Sequence, residues 1–137
     1  MCAKNDDACP NGTATSREPS RGTPGDDLET RNTAAIQRLN DRLRKTGQGG
    51  QVLITDGILG LGLDLAREVV EQVAAFDSFS DDNDPWGEHD CAGLEVDGQR
   101  IIWKIDYYDR RMEFLSPNPA DPKVTCRVLT IMLSWEY

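Results

Sequence analysis

A lone histidine lies between two carboxylates in Glu88-His89-Asp90, with Cys91 beside it and Asp106 and Asp109 following at the far end of an apolar run. Imidazole titrates near neutrality, and carboxylates orient it or donate and accept protons themselves. A neighbouring thiol adds a candidate nucleophile. His89, Asp90, Glu88 and Asp106 are therefore the candidate catalytic set, suited to a small hydrolase or transferase. The same residues also suit a plainer role, in which His89 and Asp90 hydrogen-bond a loop onto the sheet behind it, and that reading is preferred. One histidine leaves no paired-histidine metal site, and neither GxSxG nor HExxH occurs. Asp81-Asp-Asn-Asp84 offers hard oxygen ligands, but Pro85 and Trp86 stand where a calcium loop needs a ligand and a glycine. No metal and no cofactor is expected.

A second chemistry starts from charge. Between Arg67 and Arg100 lie ten acidic residues, from Glu68 to Asp97, and no basic one. The chain has a formal net charge of −9, and residues 51–137 hold seventeen acidic side chains against seven basic ones. Such a surface repels DNA, RNA and anionic lipid and attracts a basic protein. Asp77, Asp81, Asp82, Asp84, Glu88 and Asp90, with Trp86 as an apolar anchor, are the candidate partner-binding residues. Carboxylates on a rigid domain imitate duplex phosphates, so the expected function is an acidic protein-binding module. Its partner would be a basic or nucleic-acid-handling complex, with inhibition of a CRISPR or restriction type host defence as the specific form. Direct nucleic-acid binding and a membrane partner are not expected.

The elements that must position these residues fill one α+β domain over residues 32–137. It is read as a small antiparallel sheet, hairpin or meander plus one N-terminal strand, packed against two to three helices. Residues 1–31 are polar and rich in Gly and Pro, and are read as a flexible tail. Ile36, Leu39 and Leu43 form the core stripe of a helix over Ala34–Thr46 that Gly47 ends. The basic cluster Arg38, Arg42, Arg44 and Lys45 in its second half is read as a solvated face that suits the helix dipole. Gln51–Thr55 is a strand. The glycines at 57, 60 and 62 miss the phosphate-binding fingerprints and are read as a strand-to-helix connection. A helix over Leu65–Asp77, capped by Asp64, precedes the acidic loop.

Two strands then meet at Asp97-Gly98, a two-residue hairpin signal. On the second strand, Ile101, Trp103 and Ile105 share one face. Met112–Leu115 is read as a third strand. Asp121-Pro122 is a helix start, and Val124, Val128, Ile131 and Trp135 follow at helical spacing, so the C-terminal segment is read as a helix, although its β-branched content equally suits a strand. No apolar run reaches the ~20 residues of a membrane span. The start of the chain carries no secretory signal, and the expected location is cytoplasmic. The four cysteines, Cys2, Cys9, Cys91 and Cys126, form no CxxC pair and are read as thiols, with Cys91 and Cys126 as small buried side chains.

Several short motifs in order, Thr33–Arg44, Ala75–Phe79, Asp82–Pro85, Gly87–Asp90, Trp103–Asp109 and Arg127–Leu133, carry a resemblance. Over Thr33–Tyr137 the chain resembles a small bacterial family of unknown function, DUF3768-like. The resemblance implies an intracellular protein, often borne on plasmids and other mobile genetic elements. It also implies an accessory role in conflict between those elements and their hosts, and it brings no assigned activity.

Overall fold

The computed structural model describes the backbone of residues 26–137 and the side chains from Asn32 onward. Residues 1–25, which hold most of the expected tail, lie outside the described residues. The first helix, α1, runs Asp26–Thr46 and so begins ahead of the expected start at Ala34. Its end is where the sequence put it. Gly47 takes φ +77 and donates its N–H to the Leu43 carbonyl at 2.8 Å, a left-handed closure that favours glycine.

β1 (Gln51–Ile54), a single-turn helix α2 (Asp56–Leu59) and α3 (Leu63–Ala75) follow, then the hairpin β2 (Cys91–Val96) and β3 (Gln99–Tyr108), and last β4 (Cys126–Leu133). Asp97 and Gly98, at φ +51 and +80, make the tight turn between β2 and β3. The sheet order is β1-β4-β3-β2, with β4 antiparallel to β3 and parallel to β1. The fold is α+β, but the sheet is mixed rather than antiparallel.

The C-terminal helix reading is corrected: this segment is the strand β4. Asp121 does cap a turn, accepting the Lys123 N–H at 2.9 Å, yet the turn is a single 3-10 one over Pro122–Val124. Beyond it the β-branched residues fill the slot between β1 and β3, where both edges offer backbone partners. β4 is buried on both faces, with Val128 and Met132 on one and Leu129, Ile131 and Leu133 on the other, and that near-continuous apolar pattern imitates helical spacing. The expected third strand, Met112–Leu115, is also corrected. Asp109 Oδ1 accepts the N–H groups of Arg111 and Glu113 at 3.1 and 3.0 Å and Met112 turns left-handed at φ +60, leaving only a Tyr108–Leu115 bridge.

Ile101, Trp103, Ile105 and Tyr107 of β3 share the inner face with Leu129, Ile131 and Leu133 of β4. Against them pack Ile36 and Leu43 of α1, Ile58 of α2 and Ala66, Val69 and Val73 of α3. Fully burying each large apolar side chain contributes roughly 1.5–3 kcal/mol. Of the two cysteines expected as small buried side chains, Cys91 is buried, whereas Cys126 is a free thiol and only partly buried.

The glycine run gains a physical reason. Thr55 caps α2, and a Cβ on Gly57 would stand 2.5 Å from the Glu136 carboxylate. That carboxylate accepts Thr55 Oγ1–H at 2.7 Å, Leu133 N–H at 2.8 Å and Gly57 N–H at 3.2 Å, tying the end of the chain to the start of α2. These bonds, the one from Thr55 first, hold the Glu136 pKa below its ordinary value. A lowered carboxylate pKa stabilises the fold above the unfolded value, and the contribution is lost as pH falls through the folded one. Glu136→Gln should therefore lower stability modestly at pH 7, by roughly 0.5 kcal/mol once solvent screening is allowed for, with wild type and variant converging in acid, as denaturant titrations at several pH values would register.

Candidate functional site

The loop between α3 and β2 folds back over the middle of α1. It is shaped locally by Asn83, whose Oδ1 accepts Ser80 N–H at 2.8 Å while its Nδ2 donates to the Ser78 carbonyl at 3.0 Å. Gly87 and His89 both turn left-handed, at φ +69 and +56. This double kink sends neighbouring side chains to different partners. Glu88 goes into the core and His89 goes to α1.

His89 Nδ1 lies 2.9 and 3.2 Å from the two Asp41 oxygens, and its Nε2 is 3.7 Å from Asp84 Oδ2. One face of the ring stacks on Phe79 at 3.7 Å and 5°. The His89 side chain keeps 21% of its exposure. Asp84 is nearly buried, and its Oδ1 accepts the His89 N–H at 3.1 Å. Burial pushes its pKa up despite that bond. Arg44 backs the cluster: one guanidinium nitrogen meets Asp41 at 3.0 Å, and another reaches the carbonyls of Val73, Ala74 and Phe76 at the end of α3. Its guanidinium also lies over the Phe79 and Trp103 rings at 5.3 and 5.2 Å.

Beneath this lies a buried polar chain. Arg127 of β4 donates to Asn40 Oδ1 at 2.8 Å and to the Pro119 carbonyl. Asn40 Nδ2 donates to the Tyr107 hydroxyl at 2.8 Å and the Glu88 carbonyl at 3.0 Å, and Tyr107 donates to Glu88 Oε1 at 2.8 Å. Burial holds Tyr107 protonated well above its ordinary range, so it stays a donor. Burial also pulls the Arg127 pKa down, against the attraction of the Glu88 carboxylate.

The expected catalytic set is not assembled. Glu88 meets Tyr107 on the inner face, whereas Asp106, one position along β3, is on the outer face and pairs with Lys104 at 3.0 Å. Asp90 is buried, and its backbone carbonyl accepts the Ile105 N–H at 2.7 Å. Asp41 beside His89 makes an oriented imidazole, the arrangement of a general base. Its second nitrogen, however, faces Asp84 and one ring face is covered. The expected partner-binding set also divides. Asp77, Asp81 and Asp82 are exposed and Trp86 is half-buried, but Asp84, Glu88 and Asp90 are corrected to buried groups, drawn inward by His89, Tyr107 and the hairpin.

Sequence reasoning missed Asn40, Asp41, Arg44, Tyr107 and Arg127. Arg44, read as solvated, is 5% exposed. The signal was positional: Asn40 and Arg44 stand four and eight residues after Ile36, on the stripe that faces the core.

A family model described as a protein of unknown function (DUF3768) matches residues 54–136. The match takes in the loop and all of the hairpin and β4, and leaves out α1. No curated protein and no solved structure matches the chain. Among the described residues, no helix is long and apolar enough to cross a membrane.

Proposed function

We infer, for a chain that belongs to the DUF3768 family of proteins of unknown function, that it is an acidic protein-binding module. One observation carries the reading: seven carboxylates between Arg67 and Arg100 stay exposed and no base interrupts them. Glu68 and Glu71 lie on the solvent side of α3, Asp77, Asp81 and Asp82 on the loop, and Glu95 and Asp97 on the hairpin. The half-buried latch of His89 and Asp41, backed by the buried Arg44, supports it by holding the loop in shape, so the exposed charges meet a partner preorganised.

The partner is a basic protein surface of the kind that handles nucleic acid, with a host defence complex of CRISPR or restriction type as the specific form. On this reading the protein works in the cytoplasm.

The test replaces Asp77, Asp81 and Asp82 together by Lys and compares proteins retained from host lysate, identified by mass spectrometry, at low and high salt. Wild type should retain a basic, nucleic-acid-binding complex that salt releases, because exposed charges are screened beyond about 10 Å at 0.1 M. The triple variant should lose at least tenfold of that retention. Equal retention by both proteins would refute the reading.

A further inference from the structure

The loop that carries Asp81 and Asp82 is joined to α1 by the chain's only histidine. We propose that His89 is a proton-operated latch: the imidazolium holds Asp41 of α1 and Asp84 of the loop at once, and loss of its proton releases one of them and loosens the loop. The geometry requires a choice. Nδ1 faces Asp41 at 2.9 Å and Nε2 faces Asp84 at 3.7 Å. Only the doubly protonated ring attracts both carboxylates, Asp41 through a hydrogen bond at Nδ1 and Asp84 through an ion pair at Nε2, and a neutral ring turns a lone pair toward one of them. The ring is 21% exposed, so solvent can deliver and remove the proton.

The charges around the latch come from each packed element. From α1, Arg44 shares the Asp41 oxygen that His89 uses, at 3.0 Å, and competes for it. From the loop, Asp84 faces Nε2, and the charge of Asp90 acts on Asp84. Phe79 covers one ring face and adds no charge. Two contacts do not depend on the proton: Gln37 Nε2 donates to the Gly87 carbonyl at 2.9 Å and Asn40 Nδ2 to the Glu88 carbonyl at 3.0 Å. Opening is therefore confined to the half of the loop that Asp84 organises. Asp84 accepts the His89 N–H from its side chain and the Gly87 N–H from its carbonyl, and its own N–H donates to Ser80.

The sign follows from the two titrations. Going up in pH, the latch tightens as Asp84 ionises, and burial moves that step above the ordinary carboxylate value. Going further, it loosens as His89 loses its proton.

The experiment uses the full chain with no partner, so its outcome is separate from that of the binding reading. NMR follows the single histidine from pH 5 to 8 together with amide exchange at Asp84, Gly87 and His89, corrected for intrinsic rates. Trp103 in the sheet serves as the reference. Loop protection should fall roughly three- to tenfold, with its midpoint on the histidine titration and the sheet unchanged. His89→Asn, which removes the proton and tolerates a left-handed backbone, should show flat loop protection. Loop protection that stays flat through the wild-type histidine titration would overturn the latch, as would a fall that persists in the Asn variant. If that variant does not fold, the wild-type comparison decides alone.

Discussion

Arg127→Ala is expected to cost about 3–5 kcal/mol of unfolding free energy, a large share of the roughly 5–15 kcal/mol available to a domain of this kind. The guanidinium is 2% exposed, donates to Asn40 and Pro119, and lies 5.1 Å over the Tyr107 ring. Removing it deprives Asn40 Oδ1 of its donor and takes away the positive charge that acts on Tyr107 and Glu88. An unmatched group in the interior costs far more than a surface pair does. Arg127→Lys should recover little, because an ammonium lacks the planar fork that reaches two acceptors in different directions. Denaturant unfolding of the three proteins measures this. A loss under 1 kcal/mol for the alanine variant would mean that water replaces the guanidinium and that the network does not depend on it.

Arg44→Met is expected to cost about 2–4 kcal/mol, with the end of α3 as the first region to open. The methionine keeps much of the apolar stem, so the loss reports the charged head. That head serves three carbonyls at the end of α3, which lacks a basic residue in its last turn. Hydrogen bonds from a charged donor are each worth about 1.5–3 kcal/mol before the strain and solvation of the replacement are counted. Arg42, two residues earlier, is the control: it is exposed and its guanidinium donates to Gln48 at 3.2 Å. Arg42→Ala should change stability by less than about 0.5 kcal/mol. Amide exchange at Val73 and Phe76 would separate the variants, and equal protection in both would remove the special role given to Arg44.

The loop depends on both arginines by different routes. Arg44 fixes Asp41, which fixes the face of His89, while Arg127 acts through Asn40 and Tyr107 on Glu88. Glu88 and His89, the neighbours whose side chains the kink sends apart, are thus each held by a relay that starts at an arginine. Variants that loosen either relay should change the presentation of Asp81 and Asp82 without altering the exposed charges themselves.

The sequence by itself determined what local chemistry determines. Asp97-Gly98 needs no distant partner to turn, since glycine and aspartate tolerate a left-handed backbone. The close of α1 at Gly47, the inner face of β3 and the exposed charge of Asp77, Asp81 and Asp82 are of the same kind. The tertiary structure alone decided whether the C-terminal segment pairs or coils. Val124, Val128 and Ile131 keep helical spacing, yet on β4 Val128 and Ile131 fall on opposite faces that are both buried, and the edges of β1 and β3 choose the strand by offering it backbone partners. It likewise decided which charges are surface and which are interior. Burial of Asp84, Glu88, Arg44 and Arg127 is tolerable only where hydrogen-bond partners converge from α1, the loop, β3 and β4. No residue-by-residue reading contains that convergence, because decisive partners, Asn40 for Arg127 and the carbonyls of Val73, Ala74 and Phe76 for Arg44, lie tens of positions away along the chain.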